Sequence, residues 1–323
     1  MSIFKKSDLL TSTVLFFGAF LVASYLLSLG ARAHWLLDLF RHFLHQYFVG
    51  SLLLVPLLLW RTQYVLAAAV ILVSCASFYE IYSALDVSAG RSQESIQTIK
   101  VAQYNRLYTL SDHSEMQSWI EGEAPDFFVI QEASELHAQS ISDLGERYPH
   151  QIHEPRENGL GLVIASKHEI IASSVHKTDR YAMDVFFVHA LIKLQDGNLV
   201  SAYTVHPPPP ISRLMHKQRN EDIQTVASAI LNDKNENIVF LGDLNITPYS
   251  PYFRDFIKDT GLKNQYSSPH LFPTWPSVFA SPFFQIPIDH ILHKGRMELV
   301  SKHRAPHMGS DHYPVVAEFS IPD

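Results

Sequence analysis

The chain has 323 residues, of which 47% are hydrophobic and only 18% charged, and it carries a net charge of −7; ordinary soluble domains hold about 25% charge. The averages hide a division, because residues 1–96 are net +1 while residues 97–323 carry −8 and 46 of the 57 charged side chains. This excludes a disordered chain, a coiled coil and a strongly basic nucleic-acid scaffold.

The first third is apolar. Residues 9–31, 42–60 and 62–79 contain no Asp, Glu, Lys or Arg. Each stretch approaches the roughly 20 residues that cross a hydrocarbon core, which predicts membrane helices over about 9–31, 43–60 and 64–83. For the first run the rival reading is a cleaved signal peptide, since Lys5 and Lys6 precede it. The run outlasts a usual signal core and further apolar helices follow, so a retained helix is favoured. The second and third helices, joined through Arg61 and Gln63, read as a hairpin, with Pro56 kinking its first arm. A soluble helical core is disfavoured because almost no polar face exists. Between the first two, Trp35, Leu36, Leu39, Phe40, Phe43, Leu44 and Tyr47 recur at helical spacing, with Asp38, Arg41, His42 and His45 elsewhere. That pattern predicts a helix lying flat on the membrane.

Lys5 and Lys6 favour a cytoplasmic N-terminus, and three crossings then place residue 86 onward outside the cytoplasm; Arg32 and Arg41 oppose this orientation. Cys75, the only cysteine, lies in the third apolar run, and a cysteine-free remainder suits an oxidising compartment. Residues 1–84 thus read as a transmembrane anchor, 85–97 (LDVSAGRSQESIQ) as a polar linker and 98–323 as a separate, mildly acidic domain.

The second part alternates strand-length apolar runs with helical patterns. Runs at 99–102, 127–130, 162–165, 185–194, 199–205, 238–241, 288–292 and 315–319 read as strands. Residues 211–231, 134–144 and 251–257 read as helices. Gln195-Asp196-Gly197-Asn198 reads as a hairpin turn. Hairpins mixed with strand–helix–strand units imply an α/β domain with mixed sheets.

The chemistry clusters where strands end. Asn105, Glu132, His206, and Asp243 with Asn245 each follow an apolar run, Asp289 sits within one, and Asp311-His312 precedes the last. Sheets with parallel pairs gather strand ends at one edge, where ligands bind. Singly, each residue reads as a loop or cap residue; the signal is joint. Carboxylates and amides are hard ligands that favour Mg²⁺, or Mn²⁺, over zinc. A divalent metal beside imidazoles suits hydrolysis of phosphate esters. Asp243 and Asn245 are two residues apart, so an extended chain turns both to one side. His303 and His307 near His312 fit no zinc spacing. Arg213 and Arg219 read as solvated helix residues, with phosphate contact the alternative, and Pro207–Pro210 as a stiff loop.

The ordered motifs resemble those of the endonuclease/exonuclease/phosphatase superfamily with the deoxyribonuclease-I-like fold, in a membrane-anchored bacterial form. Tyr104-Asn105, Gln131-Glu132, Val205-His206, GDLN at 242–245, Pro273-Thr274-Trp275-Pro276, IDHIL at 288–292 and GSDHYP at 309–314 follow the family's order over about residues 98–320. The resemblance implies a four-layer sandwich of two mixed sheets between helices, preceded by the three-helix anchor. It implies that Asn105, Glu132 and Asp311 serve the metal. It further implies that Asp243 orients or deprotonates water, that Asn245 and His206 contact phosphate, and that His312, its tautomer fixed by Asp289, stabilises developing charge. Tyr104 replaces a common tryptophan, and no acidic residue follows two after Asn105, which leaves a second metal site open.

The expected function is a Mg²⁺-dependent phosphoric ester hydrolase of a bacterial inner membrane, multi-pass, with its catalytic domain periplasmic or extracellular. Its expected partners are the lipid bilayer and a phosphate-ester substrate, with no obligate protein partner. A lipid-linked phosphate or phospholipid is favoured by the anchor and by the apolar loop 278–287 (VFASPFFQIP), whose aromatics alternatively belong to the core. An extracytoplasmic nuclease is the alternative, disfavoured by the −8 charge. A non-catalytic membrane scaffold is the remote one.

Overall fold

In the computed structural model, residues 2–87, 97–178, 183–267, 272–279 and 281–322 are described. The chain divides into two units, Met1–Ala84 with Pro248–Pro251, and Leu85–Thr247 with Tyr252–Asp323.

The first unit is helical, with α1 (Ser2–Ser28), α2 (Trp35–Arg41), α3 (Leu44–Trp60) and α4 (Tyr64–Ala84). Two spans, Leu9–Ser28 of α1 and all of α4, are long and apolar enough to cross a membrane. The 17 residues of α3 fall short alone; α2 and α3, bent by 58°, qualify as a third span only together. The α3–α4 hairpin closes with Thr62 in a left-handed conformation (φ 58°). Its N–H donates to Leu59 O and that of Gln63 to Leu58 O, satisfying the last carbonyls of α3. Val14, Leu58, Ala67 and Val70 pack between the helices.

The flat surface helix expected over residues 35–47 is corrected. The helix breaks at His42 and Phe43. Asp38, Arg41, His42 and His45 are buried rather than wet. Arg41 is ion-paired with Glu80 of α4, and Glu80 Oε1 accepts from Tyr25 OH at 3.1 Å. Arg41, on the polar side of the amphipathic pattern, therefore faces another helix and meets a partner far away in sequence.

The second unit holds β1 (Asp86–Val87), β2 (Gln97–Asn105), α5 (Ser114–Glu123), β3 (Phe127–Gln131), α6 (Glu135–Ser142), β4 (His150–Glu154), β5 (Leu162–Ser166), β6 (Glu169–Lys177), β7 (Phe186–Lys193) and β8 (Leu199–Val205). These are followed by α7 (Arg213–Asn232), β9 (Asn237–Asp243), α8 (Pro251–Thr260), β10 (Gln265–Tyr266), β11 (Asp289–Lys294), β12 (Glu298–Arg304) and β13 (Val315–Ile321). One sheet has the order β12-β13-β2-β3-β5-β4 and the other β11-β9-β8-β7-β6. Both are mixed, with parallel pairs β2–β3 and β8–β9 joined by the crossover helices α5 and α7.

The sheets pack face to face on a core that includes Val101, Val129 and Phe319 from one and Val188, Ala202 and Leu241 from the other. A second cluster joins the outer face of the six-stranded sheet to Met116 and Ile120 of α5 and Ile141 of α6. A third joins the five-stranded sheet to Val226 and Ile230 of α7 and Phe253 and Phe256 of α8. Every expected strand is present, and the 185–205 hairpin turns at Gly197 (φ 90°). Of the expected linker, residues 88–96 lie outside the described residues, while Asp86–Val87 pairs in parallel with Gln265–Tyr266.

Candidate active site

Topology decides where the polar residues go. Parallel pairing brings the C-terminal ends of β2 and β3 to one edge of their sheet, with Asn105 opposite Gln131. Parallel pairing of β8 and β9 does the same for His206 and Asp243 in the other sheet. The antiparallel strands β11 and β13 start where β9 and β2 end, so Asp289 lies opposite Asp243 and the Asp311-His312 turn comes beside Asn105. All eight residues singled out in the sequence lie on or next to strand ends at this common edge.

Their side chains meet. Asn105 Nδ2 donates to Glu132 Oε1 at 3.0 Å and to Asp243 Oδ2 at 3.1 Å. His206 Nε2 lies 3.4 Å from Asp243 Oδ2 and 3.9 Å from Glu132 Oε1. His312 Nε2 lies 3.6 Å from the same Asp243 oxygen. Behind it, His312 Nδ1 meets Asp289 Oδ2 at 2.9 Å, which fixes the ring so that Nε2 faces the cleft. Asp243 Oδ1 accepts the Asn245 N–H at 2.8 Å, and Asn245 Nδ2 donates to Pro207 O at 3.0 Å. Glu132 (φ 55°) and Asn245 (φ 51°) both hold left-handed backbone, a conformation L-residues keep only where surroundings enforce it.

Burial would push the His312 imidazolium down, but the negative charges of Asp289 and Asp243 outweigh it and hold the ring well above the ordinary histidine range. His206 is raised too: burial opposes its charge, and the Asp243 hydrogen bond and charge overcome it. Asp243 is the mirror case. Burial raises it, yet the His312 and His206 charges hold it below the usual carboxylate range.

The sequence model of the Endonuclease/Exonuclease/phosphatase family matches residues 103–312. The chain belongs to the endonuclease/exonuclease/phosphatase family. Membership makes it a hydrolase of phosphate esters. No curated protein matches the chain. Solved structures share the fold. An endonuclease/exonuclease/phosphatase from Beutenbergia cavernae DSM 12333 has 18% identity and a TM-score of 0.60, covering 70% of this chain and 72% of that one. A Bacteroides vulgatus protein of the same description has 16% identity and a TM-score of 0.58, with 70% and 99% covered. D. rerio TDP2, complexed with single strand DNA product, has 14% identity and a TM-score of 0.57, with 69% and 99% covered.

Enzymes of this family use a divalent metal, and the donor set here fits one. Among the described residues, Asp243, Asp289 and His312 form the group whose ligand atoms lie within 4.8 Å of one another. With Glu132, three carboxylates face two imidazoles, an excess of hard acidic oxygen that a small cation would balance. This group differs from the set read from the sequence. Asn105 turns its amide nitrogen to the carboxylates while its Oδ1 accepts from Leu107 N at 3.2 Å. Asp311 Oδ2 accepts from the Trp275 indole at 3.0 Å, leaving its Oδ1 buried with no hydrogen-bond partner among the described residues.

Several supports have no obvious sequence signal. Gln103 Nε2 donates to Asp289 Oδ1 at 3.1 Å. Ser310 Oγ ties His312 N to Asn105 O; it sits inside the GSDH motif, which was the available clue. Gly159 O meets His206 Nδ1 at 2.9 Å. Gly242 is required by close approach, since a Cβ there would lie 2.8 Å from both Gln131 Nε2 and Val205 O. Arg219 corrects an expectation: it is fully buried rather than solvated, and its Nη1 donates to Asn245 O at 3.1 Å. Arg213 is exposed, as expected.

Proposed function

We propose that the protein is a membrane-anchored, Mg²⁺-dependent hydrolase of a lipid-linked phosphate or phospholipid, acting outside the cytoplasm of a bacterial cell. In this reading residues 1–84 anchor, 85–97 link and 98–323 catalyse. One observation carries the lipid preference: the site rim is apolar, aromatic and exposed. The Trp275 ring lies 6.4 Å from that of His312, and Val278, Phe279 and Phe284 beyond it are 69%, 48% and 56% exposed. Phe279 and Phe284 pair at 5.4 Å, and Phe283 joins Phe284 at 5.0 Å. Part of the 278–287 loop does enter the core, because Gln285 and Ile286 are buried; its tip does not. An apolar rim on a domain of charge −8 suits a substrate with one phosphate and a hydrocarbon tail better than a polyanion.

Residue roles follow from position. Asp243, held ionised by two imidazoles, is placed to orient or accept a proton from the attacking water. His206 Nε2 and Asn245 Nδ2 face the same space and would contact the phosphate. His312, charged and fixed by Asp289, would offset the charge that develops on the phosphoryl oxygens. Glu132, assisted by Asn105 and the Asp311 Oδ1 and facing Asp243, would hold the cation. When bound, that cation neutralises phosphate charge and acidifies water.

A screen of full-length protein in detergent would test the reading. It would compare phospholipid vesicles, polyprenyl phosphates and nucleic acids, each with Mg²⁺ and with chelator, using His312→Ala as control. Lipid phosphate should be turned over, with loss in the variant and in chelator. Turnover of nucleic acid alone would replace the reading with a nuclease, and no turnover of any class would overturn it. A reporter fused at residue 90 should be active only outside the cytoplasm.

A further inference from the structure

The base of the aromatic rim loop is tied to the turn that carries His312. Trp275 and Ile286 pair across the loop, the Ile286 N–H donating to Trp275 O at 2.6 Å and the Trp275 N–H to Ile286 O at 3.1 Å. Ser277 N donates to Asp311 O at 2.7 Å and Tyr313 N to Thr274 O at 3.0 Å. Beyond this base the loop turns through Pro282–Phe284 and presents Phe279 and Phe284 to the outside.

Gln285 lies between base and tip. It is 1% exposed, and its Nε2 donates across the loop to Phe279 O at 2.5 Å. Its Oε1 accepts from Arg304 Nη1 of β12 at 3.0 Å. A guanidinium has donors and no acceptor, so Arg304 sets which end of the Gln285 amide is oxygen and thereby turns the nitrogen to Phe279. The same Nη1 donates to Pro273 O at 2.7 Å. The guanidinium carbon also lies 3.9 Å from the centre of the Tyr313 ring, a cation–π distance. Tyr313 follows His312 in the chain, and its hydroxyl donates to Ser277 O at 3.4 Å. One side chain of β12 therefore touches the start of the loop, the amide that ties its tip and the residue after His312.

We propose that Gln285 and Arg304 are positioning residues for substrate selection. They hold Phe279 and Phe284 at a fixed place beyond Trp275, and so favour a phosphate ester that carries a hydrocarbon chain. The proposal rests on the reading of this site as a lipid-phosphate hydrolase with an apolar rim.

The test uses the full chain in detergent with Mg²⁺ and two probes, phosphatidylglycerol in mixed micelles and water-soluble bis(p-nitrophenyl) phosphate. Gln285→Glu keeps the shape and the Arg304 contact but has no donor for Phe279 O. It should raise KM for the phospholipid about tenfold with kcat near that of wild type, and raise KM for the soluble ester far less. Arg304→Met, which removes the group that orients the amide, should act in the same direction. The double variant Phe279→Ser/Phe284→Ser removes the rings themselves and should raise the phospholipid KM at least as far. Hydrogen exchange over 281–286 should accelerate in Gln285→Glu. Equal KM changes for the two probes in Gln285→Glu, or an unchanged phospholipid KM in it or in the double serine variant, overturns the proposal. If wild type hydrolyses no phospholipid, the functional reading fails by itself. The exchange arm still decides whether Gln285 holds the tip, and unchanged exchange there overturns the positioning.

Discussion

Charged side chains are buried in both units, but they are balanced differently. In the helical unit the Arg41 guanidinium faces Glu80, so that charge is met within the protein. At the sheet edge three carboxylates, Glu132, Asp243 and Asp289, share two imidazoles. A neutralised group serves the fold, because its removal leaves a partner stranded. An unbalanced group waits for a ligand, because its own unit has not completed it. The same side-chain chemistry therefore predicts opposite phenotypes in the two places.

The sharpest way to break this comparison is Asp243→Asn. The amide keeps Oδ1 as acceptor for Asn245 N and changes little in shape, while removing the charge that faces both imidazoles. Turnover of the best ester found in the screen should fall by about a thousandfold or more, with the unfolding midpoint little changed. A midpoint collapse with proportionate activity would mean that the site charges are structural after all.

Next in size is Glu80→Gln. Losing the carboxylate opposite a buried Arg41 should destabilise the helical unit by about 3 kcal/mol, read by thermal unfolding in detergent. A variant as stable as wild type would show that the pair contributes nothing to the fold.

The smallest effect concerns a group kept neutral. Burial, followed by the nearby charges of Lys263 and Lys302, pushes His293 down to about 4, and its Nε2 meets Gln265 Oε1 at 2.9 Å. The unfolded chain takes a proton near pH 6.5, so between pH 6.5 and 4 it binds more protons than the folded one. The contribution is complete above pH 6.5 and is lost as pH falls. Between pH 7 and pH 5 that loss is about 2 kcal/mol. Urea unfolding at the two pH values should show it, and His293→Leu should flatten the difference.

What was legible in the sequence follows the same line between local and distant signals. Strands buried on both faces announced themselves as continuous apolar runs, and the residues after them placed the site. Of the strands that went unread, β4, β6 and β12 are edges of the two large sheets, and β1 and β10 are a two-residue pair. Their exposed or half-exposed residues, as in EIIASSVHK, carry no continuous apolar run, because an edge strand needs only one covered face and is kept polar against aggregation. The short α5 was missed for its weak apolar face. Asp38, Arg41 and Arg219 were misplaced for another reason. Helical periodicity says which side a residue occupies, but not whether Glu80, Ser250 or Asn245 will be waiting there.

Gly242 adds a constraint of a different kind. Because no atom beyond the backbone fits between the Gln131 amide and the Val205 carbonyl, the absence of a side chain sets how near the two sheets come at their working edge. The glycine behaves as a gauge: it fixes the span between Glu132, after a strand of one sheet, and Asp243, at the end of a strand of the other.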